Sequence, residues 1–290
     1  MSIQKRLQSG EFVVLAEMNT PKGVDISRFM TDARRLKGRV DGIVVPDMDN
    51  GVMRMSALAG GALVQQQGIE SVITVYGRDR NRMALQGDLL AAQVLGIQTL
   101  IVVQGEAMAN SDHRNALPVD DLDELGLLAA IQTLKSGKDL AGFDLEGRPE
   151  FQVGCRIAPF ADDAGLNREL DRAREKIAAG AGFVITPPVY DLNRFEDFMR
   201  KAAALQTPII PSVFLIKSVA VARYIIAHEP GASISEVLIK RIRKSSDREL
   251  EGLKIAGETI AQLRKMAQGV LIQTLGWEHR LSAILDVAGI

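Results

Sequence analysis

The sequence predicts a (β/α)8 TIM barrel with extra helices before strand eight, laid out as one domain over residues 1–290. Three observations carry this. Eight short runs of β-branched and aliphatic residues recur along the chain, as buried parallel strands require. Each is followed by a polar or glycine-bearing exit loop and then by a segment with apolar residues at helical spacing. No clear linker divides the chain, and 47% hydrophobic content over 290 residues is enough for one large core.

Residues 12–16 (FVVLA) form the first strand, with an exit loop over 17–23 and a helix over about 25–36. The second strand spans 40–45, its exit loop is 46–51, and its helix covers about 52–67 before the stop at Gly68. The third strand, 71–76, leads into Gly77-Arg78-Asp79-Arg80-Asn81, where Asp79 is the expected helix cap; Gly96 ends that helix. The fourth strand, 99–103, exits through Gln104-Gly105-Glu106 into a long polar segment, which a compact domain keeps more often for function than for connection. A helix over about 122–134 and a turn-rich excursion precede the fifth strand at 151–157. A helix at 167–179, a sixth strand at 182–186 with exit loop 187–191, a helix at 192–205 and a seventh strand at 208–213 follow. Helices near 219–227, 234–243 and 247–267 come before the eighth strand, 269–273, and a last helix covers 278–287. In such a fold the loops after the strand C-termini build the ligand end.

Composition excludes several classes. The formal net charge is −1, so no global field draws the chain to nucleic acid or to an anionic membrane. One cysteine, Cys155, excludes an internal disulfide framework, and with three scattered histidines it offers no metal-ligand spacing. No window has the run of about 18 apolar residues expected of a membrane span, and the first residues lack the apolar stretch of a signal peptide. A reduced, cytoplasmic setting is the expectation. Gly180-Ala181-Gly182 precedes a strand, whereas phosphate-cradling glycines follow one, so it reads as a helix stop; no Walker-type loop or nucleophile elbow occurs.

Glu17, a charged residue directly after a buried strand, is the leading acid–base candidate, because burial at an apolar barrel mouth raises a carboxyl pKa. The alternative is a carboxylate paired with a loop arginine such as Arg78 or Arg80. Arg78, Asp79, Arg80 and Asn81 either grip a phosphate or ring edge through fixed donors or form a capped, solvated turn. Glu106 is either a group beside a cofactor or a loop anion. Lys176 sits in the last turn of its helix, where the helix dipole alone accounts for it.

These residues, together with AEMNTPKG, VMRMSALA, GRDRNRMALQGDLLAAQVLGI, KIAAGAGFVITPPVYD, IIPSVFLIKS and the terminal GWEH, resemble the flavin-dependent methylenetetrahydrofolate reductases over nearly the whole chain, in particular the short bacterial form without a regulatory domain. The resemblance implies FAD across the C-terminal mouth of the barrel and hydride transfer to the methylene carbon of a folate. It places Glu17 on the catalytic glutamate, and Thr74, Arg78, Asp79, Arg80, Asn81, Gln104, Gly105, Glu106, Glu169 and Lys176 on flavin-contacting segments. Folate contacts fall at Thr186, Pro187 and Tyr190. Electrons would come from a nicotinamide or from a partner electron-transfer subunit, and family barrels are commonly oligomeric.

The chain departs from the family at particular positions. Pro187 stands near the usual pterin-binding Gln and has no N–H to donate, Glu106 replaces an Asp, Pro46 a Thr and Thr74 a His. Two rivals follow: a paralogue that keeps FAD but acts on another substrate, and a non-catalytic barrel subunit of a larger complex.

Overall fold

The computed structural model describes residues 2–158, 162–229 and 231–290. Eight parallel strands, β1 (Val13–Glu17), β2 (Gly42–Val45), β3 (Glu70–Val75), β4 (Thr99–Val102), β5 (Gln152–Arg156), β6 (Phe183–Pro188), β7 (Ile209–Phe214) and β8 (Gly269–Gln273), pair in chain order. The ring closes where β8 pairs with β1, Leu271 opposite Leu15. The expected (β/α)8 barrel is therefore the fold.

Strand pleating sends alternate side chains inward. Val13, Leu15, Val44, Val72, Ile101, Phe183, Ile185, Ile210 and Leu271 fill the barrel interior. Gly154 is required there: a Cβ would stand 2.2 Å from the Phe183 ring, so the glycine is the space the ring occupies. The opposite strand faces pack against the helices, among them α2 (Ser27–Leu36), α3 (Ala57–Gln66), α4 (Arg82–Val94), α5 (Glu124–Lys135), α6 (Asp163–Ala178) and α7 (Leu192–Ala202).

The extra helices before the eighth strand are present as α8 (Val219–His228), α9 (Glu236–Lys244) and α10 (Arg248–Leu263), followed after β8 by α11 (Leu281–Ala288). Ile225, Ile239, Ile242 and Ile255 give them a core of their own.

Several elements differ from expectation. An N-terminal helix, α1 (Ile3–Ser9), was not anticipated; Ser2 caps it, Gly10 ends it in the left-handed region, and Ile3 and Leu7, one turn apart, join the barrel-interior cluster. The helix after β2 begins at Ala57 and not near residue 52, because Ser56 takes the Ala59 N–H and sets the start. Asp79 is not the cap of α4. Asn81 accepts from Ala84 N at 3.0 Å, leaving Asp79 to other partners. The sixth strand continues to Pro188 through a register shift between Ile185 and Pro188 against β7. Among the described residues no helix is long and apolar enough to cross a membrane.

Candidate active site

The pleat that turns Leu15, Gly154 and Leu271 inward also turns in the last residue of each of their strands: Glu17, Arg156 and Gln273. Three polar side chains thus converge above an apolar interior. Gln273 Nε2 donates to Glu17 Oε2 at 2.9 Å, and Arg156 Nη2 reaches the same oxygen at 3.4 Å. The other arm of the guanidinium, Nη1, lies 3.9 Å from Asp49 Oδ2.

Asp49 comes from the short 3-10 turn Met48–Asn50 after β2 and is 8% exposed. Thr74 Oγ1 donates to its Oδ1 at 3.1 Å. Burial pushes the Asp49 carboxyl up to about 6; Arg156 acts downward and the nearby Glu17 upward.

The exits of β2, β3 and β4 are bound into one net around Arg78. The expected alternative of a solvated turn does not hold for it: Arg78 is 5% exposed. Its guanidinium donates to Met48 O at 2.6 Å, Glu106 O at 2.7 Å and both oxygens of Asp79. Asp79 also accepts from the Tyr76 hydroxyl at 2.7 Å. Burial alone would raise the Asp79 pKa, yet the bonds from Arg78 and Tyr76 outweigh it and hold the carboxyl below its ordinary value. Asp47 accepts from Ala57 N at 3.0 Å and pairs with Arg80 at 2.8 Å, while its own N–H donates to Thr74 Oγ1. The long loop after β4 is strapped over this net by Lys22–Asp112, Val119 N to Arg78 O and Arg82–Asp121.

Beside the net, a cavity of about 500 Å³ opens between the β3 and β4 exits and helices α5 and α6, walled by Gln104, Asp123, Glu124, Arg172, Glu175 and Lys176 among others. Lys176 is buried and does more than face a helix dipole. Its Nζ pairs with Glu124 at 2.7 Å and donates to Arg156 O at 3.0 Å, tying the cavity to the Glu17 centre. Glu169 accepts from Ala158 N and pairs with Arg172, both at 3.0 Å. Gly105, at φ +78°, takes a turn that suits glycine, and a Cβ there would press to 3.2 Å from the Tyr76 ring. Glu106 is held by its backbone, N–H to Asp49 O, while its side chain is exposed and accepts from Asn110.

On the far side of the mouth, the Thr186 hydroxyl donates to Pro187 O at 2.9 Å, and Ser212 Oγ donates to Thr186 O at 2.8 Å. Pro187 and Tyr190 line a small cavity of about 80 Å³ with Phe195, Phe198 and Glu229. Burial pushes the Tyr190 hydroxyl above its usual range, and Glu229 adds to the rise.

The structure therefore gathers Thr74, Arg78, Asp79 and Arg80 at one rim, Gln104 and Lys176 around the adjoining cavity with Glu169 paired to Arg172 of its wall, and Thr186, Pro187 and Tyr190 opposite; Glu17 stands in the mouth with Arg156 and Gln273, and Asn81 serves as a helix cap. Sequence reasoning missed Arg156, Gln273, Asp47 and Asp49, and the partner of Glu17 is Arg156, not the loop arginines Arg78 or Arg80. Arg156 and Gln273 carried the same signal as Glu17, a polar residue ending a buried strand.

Residues 2–289 match the family model described as methylenetetrahydrofolate reductase. The chain is 26% identical over 216 residues to methylenetetrahydrofolate reductase 2 of Schizosaccharomyces pombe; the match covers 70% of the chain but only 33% of that protein, so the chain spans about a third of its relative's length. Among solved structures, a phosphonopyruvate hydrolase bound to oxalate and Mg²⁺ superposes with a TM-score of 0.55 at 10% identity, over 100% of this chain and 86% of that one. A 2,3-dimethylmalate lyase superposes at 0.56 and 10% identity, over 98% and 81%. At that identity the likeness is one of barrel fold alone.

Proposed function

The chain belongs to the methylenetetrahydrofolate reductase family, and on that premise we propose that it is a flavin-dependent oxidoreductase of one-carbon metabolism, reducing 5,10-methylenetetrahydrofolate to 5-methyltetrahydrofolate. The observation that carries the reading is Glu17, its side chain largely buried at the barrel mouth and held by Gln273, on the position that the resemblance gives to the family's acid.

The cavity beside the net is the place this reading gives to FAD: Gln104 offers an amide and Glu175 an acceptor for a ribose hydroxyl, while Arg172 and Lys176, paired with Glu169 and Glu124, would exchange those carboxylates for the pyrophosphate. When bound, FAD would supply the hydride. Gln273 and Arg156 both contact Oε2 of Glu17, so they fix the carboxyl group by one oxygen and orient the other. Protonated Glu17 would give its proton to a nitrogen of the folate's five-membered ring, opening it to an iminium; Arg156 and Gln273 would then stabilise the carboxylate that remains. Electrons would reach the site from a nicotinamide or a partner subunit.

A second reading, a family paralogue acting on another electrophile, is favoured by Pro187, whose nitrogen carries no proton for a pterin. Both readings are tested by the visible spectrum of the purified protein, identification of what it releases on denaturation, and folate reduction by the native protein and Glu17→Gln. A yellow protein that releases FAD and loses about 10²–10⁴-fold in rate on Glu17→Gln, flavin retained, supports the first reading. A yellow protein inert to folate supports the second, and a colourless one that takes up no FAD refutes both.

A further inference from the structure

Arg156 is suspended between two carboxylates without a tight bond to either. It stands 3.4 Å from Glu17 and 3.9 Å from Asp49, and its buried Nε has no hydrogen-bond partner. Its backbone is fixed in β5 and by Lys176 on its carbonyl. Asp49 in turn is fixed by Thr74 and by Glu106 N on its carbonyl.

We propose that Asp49 is a positioning residue for Glu17 that acts through Arg156: its carboxylate holds the guanidinium back from a full ion pair with Glu17, and so leaves Glu17 able to carry a proton. The inference rests on the reading of Glu17 as the acid. A guanidinium committed to Glu17 would favour the carboxylate and weaken it as a donor, whereas one shared with a second anion does so less. The groups around Asp49 allow this. Glu17 faces it from β1 and Arg156 from β5; Asp47 in its own loop is occupied by Arg80, Arg78 is occupied by Asp79 and two carbonyls, and the Glu106 side chain points away to Asn110. Arg156 is the cation left to answer Asp49. Since burial raises the Asp49 carboxyl to about 6, its restraint on Arg156 is strongest above that pH and fades below it.

The test is a carboxyl ¹³C NMR titration of Glu17 in protein with no folate or flavin added, the signal assigned by its loss in Glu17→Gln. Asp49→Asn is expected to lower the Glu17 midpoint by about one pH unit when Arg156 is present, and by clearly less in the Arg156→Gln background, where only the direct repulsion between the two carboxylates remains. The same shift in both backgrounds would mean direct repulsion between the two carboxylates and would overturn the proposal, as would no shift in either. Asp49→Ser, with circular dichroism on every variant, separates the effect from misfolding. A Glu17 titration that behaves as expected in a protein inert to folate would defeat the functional reading and leave this coupling standing.

Discussion

Between β2 and β4 each exit loop is tied to its neighbour by a buried group, Thr74, Asp47, Asp49 or Arg78, whereas β6 itself ends on two consecutive prolines and its exit carries the half-buried Tyr190. The first side spends its polar atoms on itself. The second makes most of its bonds locally: among the described residues Ser212 and Thr186 bond carbonyls, Asp191 takes the first N–H groups of α7, Arg194 donates to Gly231 O, and Pro187 offers no donor. A rim cross-tied from loop to loop is rigid, which suits holding a large cofactor in one pose; a rim bonded mostly within its own loop and helix can admit and release a substrate. Glu17 and Arg156 stand between them.

The comparison breaks most visibly at Arg78. Arg78→Ala leaves the partly buried Asp79 carboxylate with Tyr76 alone and removes the donor of two part-buried carbonyls, so an unfolding free energy lower by about 2–4 kcal/mol is expected in urea titration. A loss below about 1 kcal/mol would show that the net is not what holds the three loops.

Next is the pH dependence of Asp49. Its folded pKa of about 6 lies above the ordinary 3.8, so its protonated form favours the fold; that contribution is complete below about pH 4 and is lost as pH rises through 6. Asp49→Asn keeps an acceptor for Thr74 and removes the charge. The variant should therefore be more stable than the native protein by about 2 kcal/mol at pH 8, with the gap closing towards pH 4. Equal stability at both pH values would contradict the burial argument.

Smaller again is Thr74→Val, which removes one hydroxyl that accepts from Asp47 N and donates to Asp49. A loss of about 1–2 kcal/mol is expected from thermal or urea unfolding. On the open side, Pro187→Gln should change stability by less than about 0.5 kcal/mol while tightening folate binding about 2–10-fold, the worth of one added hydrogen bond, as read by calorimetry. A large stability change there would erase the contrast between the rims.

The strands were legible because parallel, doubly covered strands read as apolar β-branched runs, and Glu17 was legible because a charge ending such a run has nowhere to go but the mouth. Arg156 and Gln273 obey the same rule, yet Arg156 lies in QVGCRIAP, where flanking apolar residues make it look like an ordinary strand end. Asp49 was not legible: PDMDNG holds two acids, and only the 3-10 turn decides that Asp47 reaches Ala57 and Arg80 while Asp49 reaches Thr74. Asp79 was misread as a cap because cap chemistry is local, and a buried arginine one residue away together with Tyr76 outbid the helix for its carboxylate, leaving Asn81 to cap. The N-terminal helix is about two amphipathic turns whose two buried apolar residues matter only once a barrel floor exists to receive them.

The central claim is that Glu17 delivers the proton for folate reduction by a bound flavin. It is tested most directly in a single anaerobic turnover, in which chemically reduced protein is mixed with 5,10-methylenetetrahydrofolate while flavin absorbance and the folate product are followed together. The account predicts flavin reoxidation with one equivalent of 5-methyltetrahydrofolate in the native protein, and slower reoxidation by at least about 10²-fold in Glu17→Gln. Reduced flavin that is not discharged by the folate, or that is discharged equally fast without Glu17, would contradict it.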